Sequence, residues 1–213
     1  MSEFRSDAVK RPGRPRSEQA KAAILHAAAE LLLERGLEAV SMDAVAQHAA
    51  VSKATIYRWW PTKEALALDA LYAEWSDHGP DAPDTGSLRG DLLALLRPWA
   101  RRIRSGPHAS VIGTFITKAN RDPRFAAEYL ERLVTPRRDV AKKVFKRAAE
   151  RGEIPPRVRV EVALDLLYGA LYHRLLHGHL PLSDRFVTEV VDMTLNGIRP
   201  APATGPHRVR SRR

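Results

Sequence analysis

Between Ser41 and Trp60 two segments of helical character, seven or eight residues each, stand on either side of a three-residue turn. Helices that short do not hold in water alone, so they must pack on neighbours. The neighbours are legible. Ser17 is placed to cap a helix whose apolar stripe is Ile24, Ala27, Ala28, Leu31 and Leu32, and Gly36 stops it. Ser41 opens the first short helix and Ser52 the second, and Thr62 opens a longer one through Leu66 and Leu71 to about Trp75. No segment shows sustained period-two alternation, so the expected fold is all-α.

His78–Gly86, rich in Gly, Pro and Asp, reads as a connector between two regions. Beyond it Ser87–Arg104, Pro107–Asn120, Pro123–Gly152, Arg159–His177 and Ser183–Asn196 are helix candidates, with kinks or breaks expected at Pro98 and Pro136. The expected organisation is a disordered basic arm (1–16), a three-helix N-terminal domain (17–77), a larger helical domain (87–198) and a disordered basic tail (199–213).

The chain of 213 residues has no cysteine, which excludes disulfide scaffolds and thiolate-bound zinc and suits a reducing cytoplasm. No apolar run approaches the ~20 residues that span a bilayer, so no membrane partner is expected. The net charge is +10, carried mostly at the ends. Residues 1–16 hold five basic side chains against two acidic ones, and residues 199–213 hold five arginines and no acid. Basic ends on a nearly neutral body suit a polyanion; a solubilising role is the bland alternative, favoured for the tail.

The second short helix sorts its side chains at about 100° per residue. Ile56 and Trp60 lie together and face inward with Val51. Ala54, Thr55 and Arg58 fall on the opposite side, a set suited to base edges: Arg meets guanine in a bidentate manner, and Thr or Ala meets a thymine methyl. Lys53, Tyr57 and Trp59 flank that side, placed for phosphates, and Lys63 adds charge where the next helix exposes free N–H groups. The helix-opening Ser41 and Ser52 complete the candidate DNA-facing set.

From Ala20 to Leu71 the chain resembles the DNA-binding domain of the tetracycline-repressor (TetR) family. The likeness rests on Val51-Ser-Lys53-Ala-Thr55-Ile-Tyr57-Arg-Trp-Trp60-Pro-Thr-Lys63-Glu-Ala-Leu66 and on the helices before it. Trp60 stands where the family usually has Phe, and Ala50 where the turn often has Gly; in a left-handed conformation that Ala costs ~1 kcal/mol. The resemblance implies that Lys53, Thr55, Tyr57, Arg58, Trp59 and Lys63 contact DNA. Within the arm, Gly13-Arg14-Pro15 resembles the core of an AT-hook, with Pro12 in place of an Arg. Arg14 and Arg16 are therefore candidate minor-groove contacts, or else part of a solvated leader.

The resemblance further implies that Leu88–Asn196 combines dimerisation with a small-molecule pocket. Trp99, Phe115, Ile116, Phe125, Tyr129 and Tyr168 supply the large apolar area that a pocket needs, though aromatics at helical spacing more often form core. Leu171, Leu175, Phe186, Val187, Val190 and Val191 on the last two helices are candidates for a four-helix dimer interface, or again for core. Gly169 is expected to permit close helix approach. His173, His177 and His179 have a spacing that can hold a metal, but no carboxylate or cysteine joins them, so no metal or other cofactor is expected. No nucleophile elbow, phosphate loop or zinc-protease pattern is present, and the chain is not expected to be an enzyme. The expected function is a cytoplasmic homodimeric repressor that binds a double-stranded operator and is released by a small-molecule effector. The alternative is a ligand-independent DNA-binding regulator or architectural factor without a usable cavity.

Overall fold

A computed structural model describes residues 14–75 and 82–198, which are helical with no strand among them. The N-terminal part comprises α1 (Arg14–Arg35), a 3₁₀ turn (Leu37–Ala39), α2 (Met42–His48), α3 (Lys53–Tyr57) and α4 (Lys63–Trp75). The C-terminal part comprises α5 (Leu88–Ile103), α6 (His108–Ala119), α7 (Pro123–Tyr129), a π-helical turn (Leu130–Val134), α8 (Thr135–Glu150), α9 (Val160–His177) and α10 (Asp184–Ile198).

The caps expected from sequence form. The Ser41, Ser52, Thr62 and Ser87 hydroxyls accept the backbone N–H groups of Ala44, Thr55, Ala65 and Gly90 at 3.1–3.2 Å. Gly36 ends α1 with a φ of 81°. The start of α1 differs: the helix begins at Arg14, not after a Ser17 cap, so it takes in Arg14 and Pro15 of the stretch that resembles an AT-hook. Proline is at home in a first helical turn, where its missing N–H would have no partner. Residues 1–13, the tail at 199–213 and the side chains of Arg14 and Arg16 lie outside the described residues.

The two parts share one core. Ile24, Leu32, Ile56, Trp60, Leu66 and Leu71 join Leu92, Ile103, Phe115 and Phe145 in a single cluster of buried side chains. α4 makes the junction, packing on α1 on one side and on α7 and the π-helical turn on the other. The prolines act differently: Pro98 sits inside α5, which continues past it, whereas Pro136 opens α8 directly after the π-helical turn. Pro136 has no N–H for the Arg132 carbonyl and its ring would clash with that group, which accounts for the widened turn before it. α10 is tied to α5 by Arg89–Asp192 and Arg101–Asp184 ion pairs. Among the described residues no helix is long and apolar enough to cross a membrane.

Candidate nucleic-acid interface and effector cavity

The surface of α3 follows the helical sorting closely. Ile56 and Trp60 are fully buried, whereas Ser52, Lys53, Ala54, Tyr57 and Arg58 are exposed and Thr55 and Trp59 half-buried. The helix is shorter than expected, ending at Tyr57 with Arg58 as its C-cap. Arg58 leans over the Trp59 ring, 5.3 Å from its centroid. The Thr55 hydroxyl lies 2.9 Å from that of Ser52, so both are partly spent on the cap. Ala50 takes the left-handed conformation, φ 53°, in the turn between α2 and α3.

Both candidate phosphate lysines already hold acids. Lys53 Nζ lies 2.9 Å from Asp43 Oδ1, and the Asp43 carboxylate, by its hydrogen bond first and its charge second, raises the ammonium above its ordinary pKa. Lys63 Nζ lies 3.6 Å from Glu38. These exposed pairs are weak, so a phosphate can displace the acids at small cost.

A cavity of about 460 Å³ lies between the π-helical turn, α8 and α9, within the range of small-molecule sites. Tyr129, Leu130, Val134, Arg137, Arg138, Asp165, Tyr168, Gly169 and Tyr172 line it. Burial pushes the Tyr168 phenol up, as it does that of Tyr129, so both are neutral donors at ordinary pH. The Arg137 guanidinium sits 5.2 Å from the ring centroid of Trp75, the last residue of α4. Two lining residues, Leu130 and Val134, belong to the π-helical turn that packs on α4.

Residues 24–70 match the family of bacterial regulatory proteins named tetR, and residues 82–194 match the tetracycline-repressor-like C-terminal domain. An uncharacterised helix-turn-helix transcriptional regulator of Bacillus subtilis, YdeS, is 38% identical over 192 residues, which is 90% of this chain and 96% of that protein. The chain belongs to the TetR family of transcriptional regulators. A DNA-binding transcriptional repressor, TetR, of Mycobacteroides abscessus is 33% identical over 84% of this chain and 94% of its own length. The crystal structure of the TetR family transcription regulator SCO0332 superposes with a TM-score of 0.73 at 40% identity, covering 85% of this chain and all of that one. The protein is thus a DNA-binding transcriptional regulator, not an enzyme.

Within this TetR-family regulator the expected pocket residues divide. Tyr129 and Tyr168 line the cavity. Trp99 lies behind it, its ring edge-on to Tyr168 at 5.9 Å. Phe115 is fully buried and packs edge-on against Phe125 and Tyr129, so it is core, as is most of Ile116. Phe125 borders a different, smaller depression of about 190 Å³ with Thr62 and Lys118. Sequence reasoning missed Arg137, Arg138 and Tyr172; the Tyr168/Tyr172 spacing on one face of α9, with Asp165 and Gly169 between the same turns, was the available signal. Gly169 does not serve a close helix approach, because a Cβ there would meet nothing within 4 Å.

The interface candidates also need correction. Leu171, Val187 and Val191 are fully buried inside the single chain, and Leu175 and Val190 retain only 9% of their surface, so they have little to offer a partner. Phe186 is half-buried beneath the Arg174 guanidinium, 3.3 Å from its centroid. The apolar residues that α9 and α10 leave exposed are Val162, Leu166 and Leu176, with Met193. The three histidines gather near the end of α9, His173 lying 4.6 Å from His177 and 5.0 Å from His179 by ring centroids. No group of residues suited to a metal ion occurs among the described residues.

Proposed function

We propose that this regulator is a homodimeric repressor that leaves its operator when a small molecule occupies the cavity between the π-helical turn, α8 and α9. The observation that carries this reading is the position of α4. Its first residue, Lys63, belongs to the DNA-facing set, and its last, Trp75, lies under the cavity's Arg137. Midway, Asp69 accepts the Trp60 indole N–H at 2.7 Å and the Arg132 guanidinium at 3.0 Å. Trp60 fixes α3 from beneath, and Arg132 sits in the π-helical turn that lines the cavity. A ligand pressing on Leu130 and Val134 therefore moves a turn that is ion-paired to the support of the reading helix. The cavity favours this over a ligand-independent regulator.

In this reading Lys53, Tyr57, Trp59 and Lys63 hold phosphates and Ala54, Thr55 and Arg58 meet base edges, with Ser41 and Ser52 at the helix starts and Arg14 and Arg16 near the adjoining minor groove. The partner subunit covers Val162, Leu166 and Leu176, which recur along one face of α9 at spacings of four and ten residues, together with Met193 on α10. A two-fold axis there must set the two α3 helices roughly 34–36 Å apart to enter successive major grooves. Leu166→Glu tests the assembly. It should give a folded monomer by analytical ultracentrifugation that no longer protects an operator in footprinting; an unchanged dimer would place the interface elsewhere.

A further inference from the structure

We propose that the cavity selects an organic acid: a carboxylate seated on Arg137 with an aromatic or branched apolar body lying between Tyr129, Val134 and Gly169. This rests on the reading of the cavity as the effector site and specifies what enters it.

Two adjacent arginines line the cavity, and the fold treats them oppositely. Arg138 is paired twice over, with Asp165 at 2.7 Å and with Glu161. Arg137 has no carboxylate within ion-pair distance among the described residues; its hydrogen-bond partners are phenols, Tyr172, whose hydroxyl accepts from Nη1 at 2.7 Å, and Tyr168. Its guanidinium is otherwise boxed by rings, 4.0 Å from the Trp99 centroid, 5.0 Å from Tyr168 and 5.9 Å from Tyr172. Aromatic faces stabilise a cation but accept its N–H groups only weakly, far less well than an oxygen does. A guanidinium presents five such donors in a rigid fork that matches a carboxylate in a bidentate manner. The Tyr172 hydroxyl, having accepted from Arg137, retains its own hydrogen for an oxygen of the same ligand. The buried Trp99 indole N–H beside the guanidinium also has no acceptor.

The charge balance has the same sign. Among the lining side chains two arginines face one aspartate, which leaves the cavity at +1, and that aspartate is committed to Arg138. An ammonium ligand would therefore meet an unpaired cation and no free acid. The remainder of the lining, Tyr129, Leu130, Val134, Tyr168 and the open side of Gly169, is apolar or aromatic, which asks for a compact hydrophobic body behind the acid group.

Matched ligands test this on the full-length protein by calorimetry and thermal shift. The probes are phenylacetate, 4-phenylbutyrate and 2-naphthylacetate, each beside its primary amide and the corresponding amine. At least one acid should bind about tenfold or more tightly than its amide, with the amine weaker still. Arg137→Gln should erase the difference between acid and amide, and Arg137→Lys, which keeps the charge but not the fork, should restore part of it. Should Arg137→Gln fail to fold, Gly169→Leu places a side chain in the cavity with Arg137 intact and should abolish binding of the acid. No binding by any acid, equal binding of acid and amide, or a preference for the acid that survives Arg137→Gln or Gly169→Leu would overturn the proposal. A preference for amides or amines would do so while leaving ligand release intact. An acid that binds through Arg137 without altering operator affinity would instead sink ligand release and leave this inference standing.

Discussion

The indole N–H of Trp60 donates to Asp69 Oδ2 at 2.7 Å, joining the plug beneath the reading helix to the middle of α4. The same oxygen accepts Arg132 from the π-helical turn, so one carboxylate serves both the DNA-binding head and the wall of the cavity. Asp69→Ala leaves the Trp60 donor buried without a partner. It should lower stability by about 1–3 kcal/mol, read by urea denaturation. It should also shrink the difference in operator affinity measured with and without a cavity ligand. Undiminished coupling would mean that the signal travels by another route.

The DNA-facing surface makes two separable predictions. Arg58→Ala, at the C-cap of α3, should cost about 1–3 kcal/mol on the operator and relax preference at one base position. Asp43→Asn releases Lys53 from its 2.9 Å pair and removes a negative charge from the DNA-facing side. It should tighten binding to all duplexes a few-fold and steepen the salt dependence by up to about one unit. Gel-shift titrations over a range of salt, on the operator and on unrelated DNA, distinguish them; identical behaviour of the two variants would contradict the assignment.

Much of the head was legible because its signals are local. Ser41, Ser52 and Thr62 cap within three residues of themselves, and the inward pair Ile56/Trp60 follows from helical spacing alone. The effector region was not. α9 is apolar on more than one side, so its period could not say whether Leu171 and Leu175 or Val162 and Leu166 face the core. Arg137 looks like any surface arginine until α4, α5 and α9 bring Trp75, Trp99, Tyr168 and Tyr172 around it. Gly169 gives the same letter whether a helix or a void lies opposite.

Two single-residue changes should stabilise the protein. Ala50 is held at φ 53°, where a Cβ is disfavoured, so Ala50→Gly should gain about 1 kcal/mol. Gly169 lies inside α9 with open space where its Cβ would be, so Gly169→Ala should gain about 0.5–1 kcal/mol from helix propensity. Chemical denaturation of each variant checks both signs, and a loss in either case would contradict the local geometry described.

Acid should weaken the junction through His108. Its ring is buried, and its Nδ1 accepts the Trp75 indole N–H at 3.2 Å, which requires the neutral form. Burial lowers its pKa below 6.5, with the Glu74 charge opposing and the Arg102 charge reinforcing the shift. The unfolded chain therefore binds the proton more readily, and stability present above pH 6.5 is lost as pH falls from there through the folded pKa. His108→Asn should remove this part of the slope when melting temperature is followed from about pH 8 to pH 5. An unchanged slope would mean that the His108 ring titrates alike in the folded and unfolded chain, so that burial does not oppose its protonation.

The central claim is that occupying the cavity and binding the operator oppose each other through α4. The most direct measurement is the affinity of a cavity ligand for the full-length protein, titrated with and without saturating operator duplex. Linkage requires the operator to weaken the ligand by the same factor as the ligand weakens the operator, typically 5–150-fold in coupled proteins. Matching factors above one are the result this account predicts; equal ligand affinity in the two titrations would contradict it.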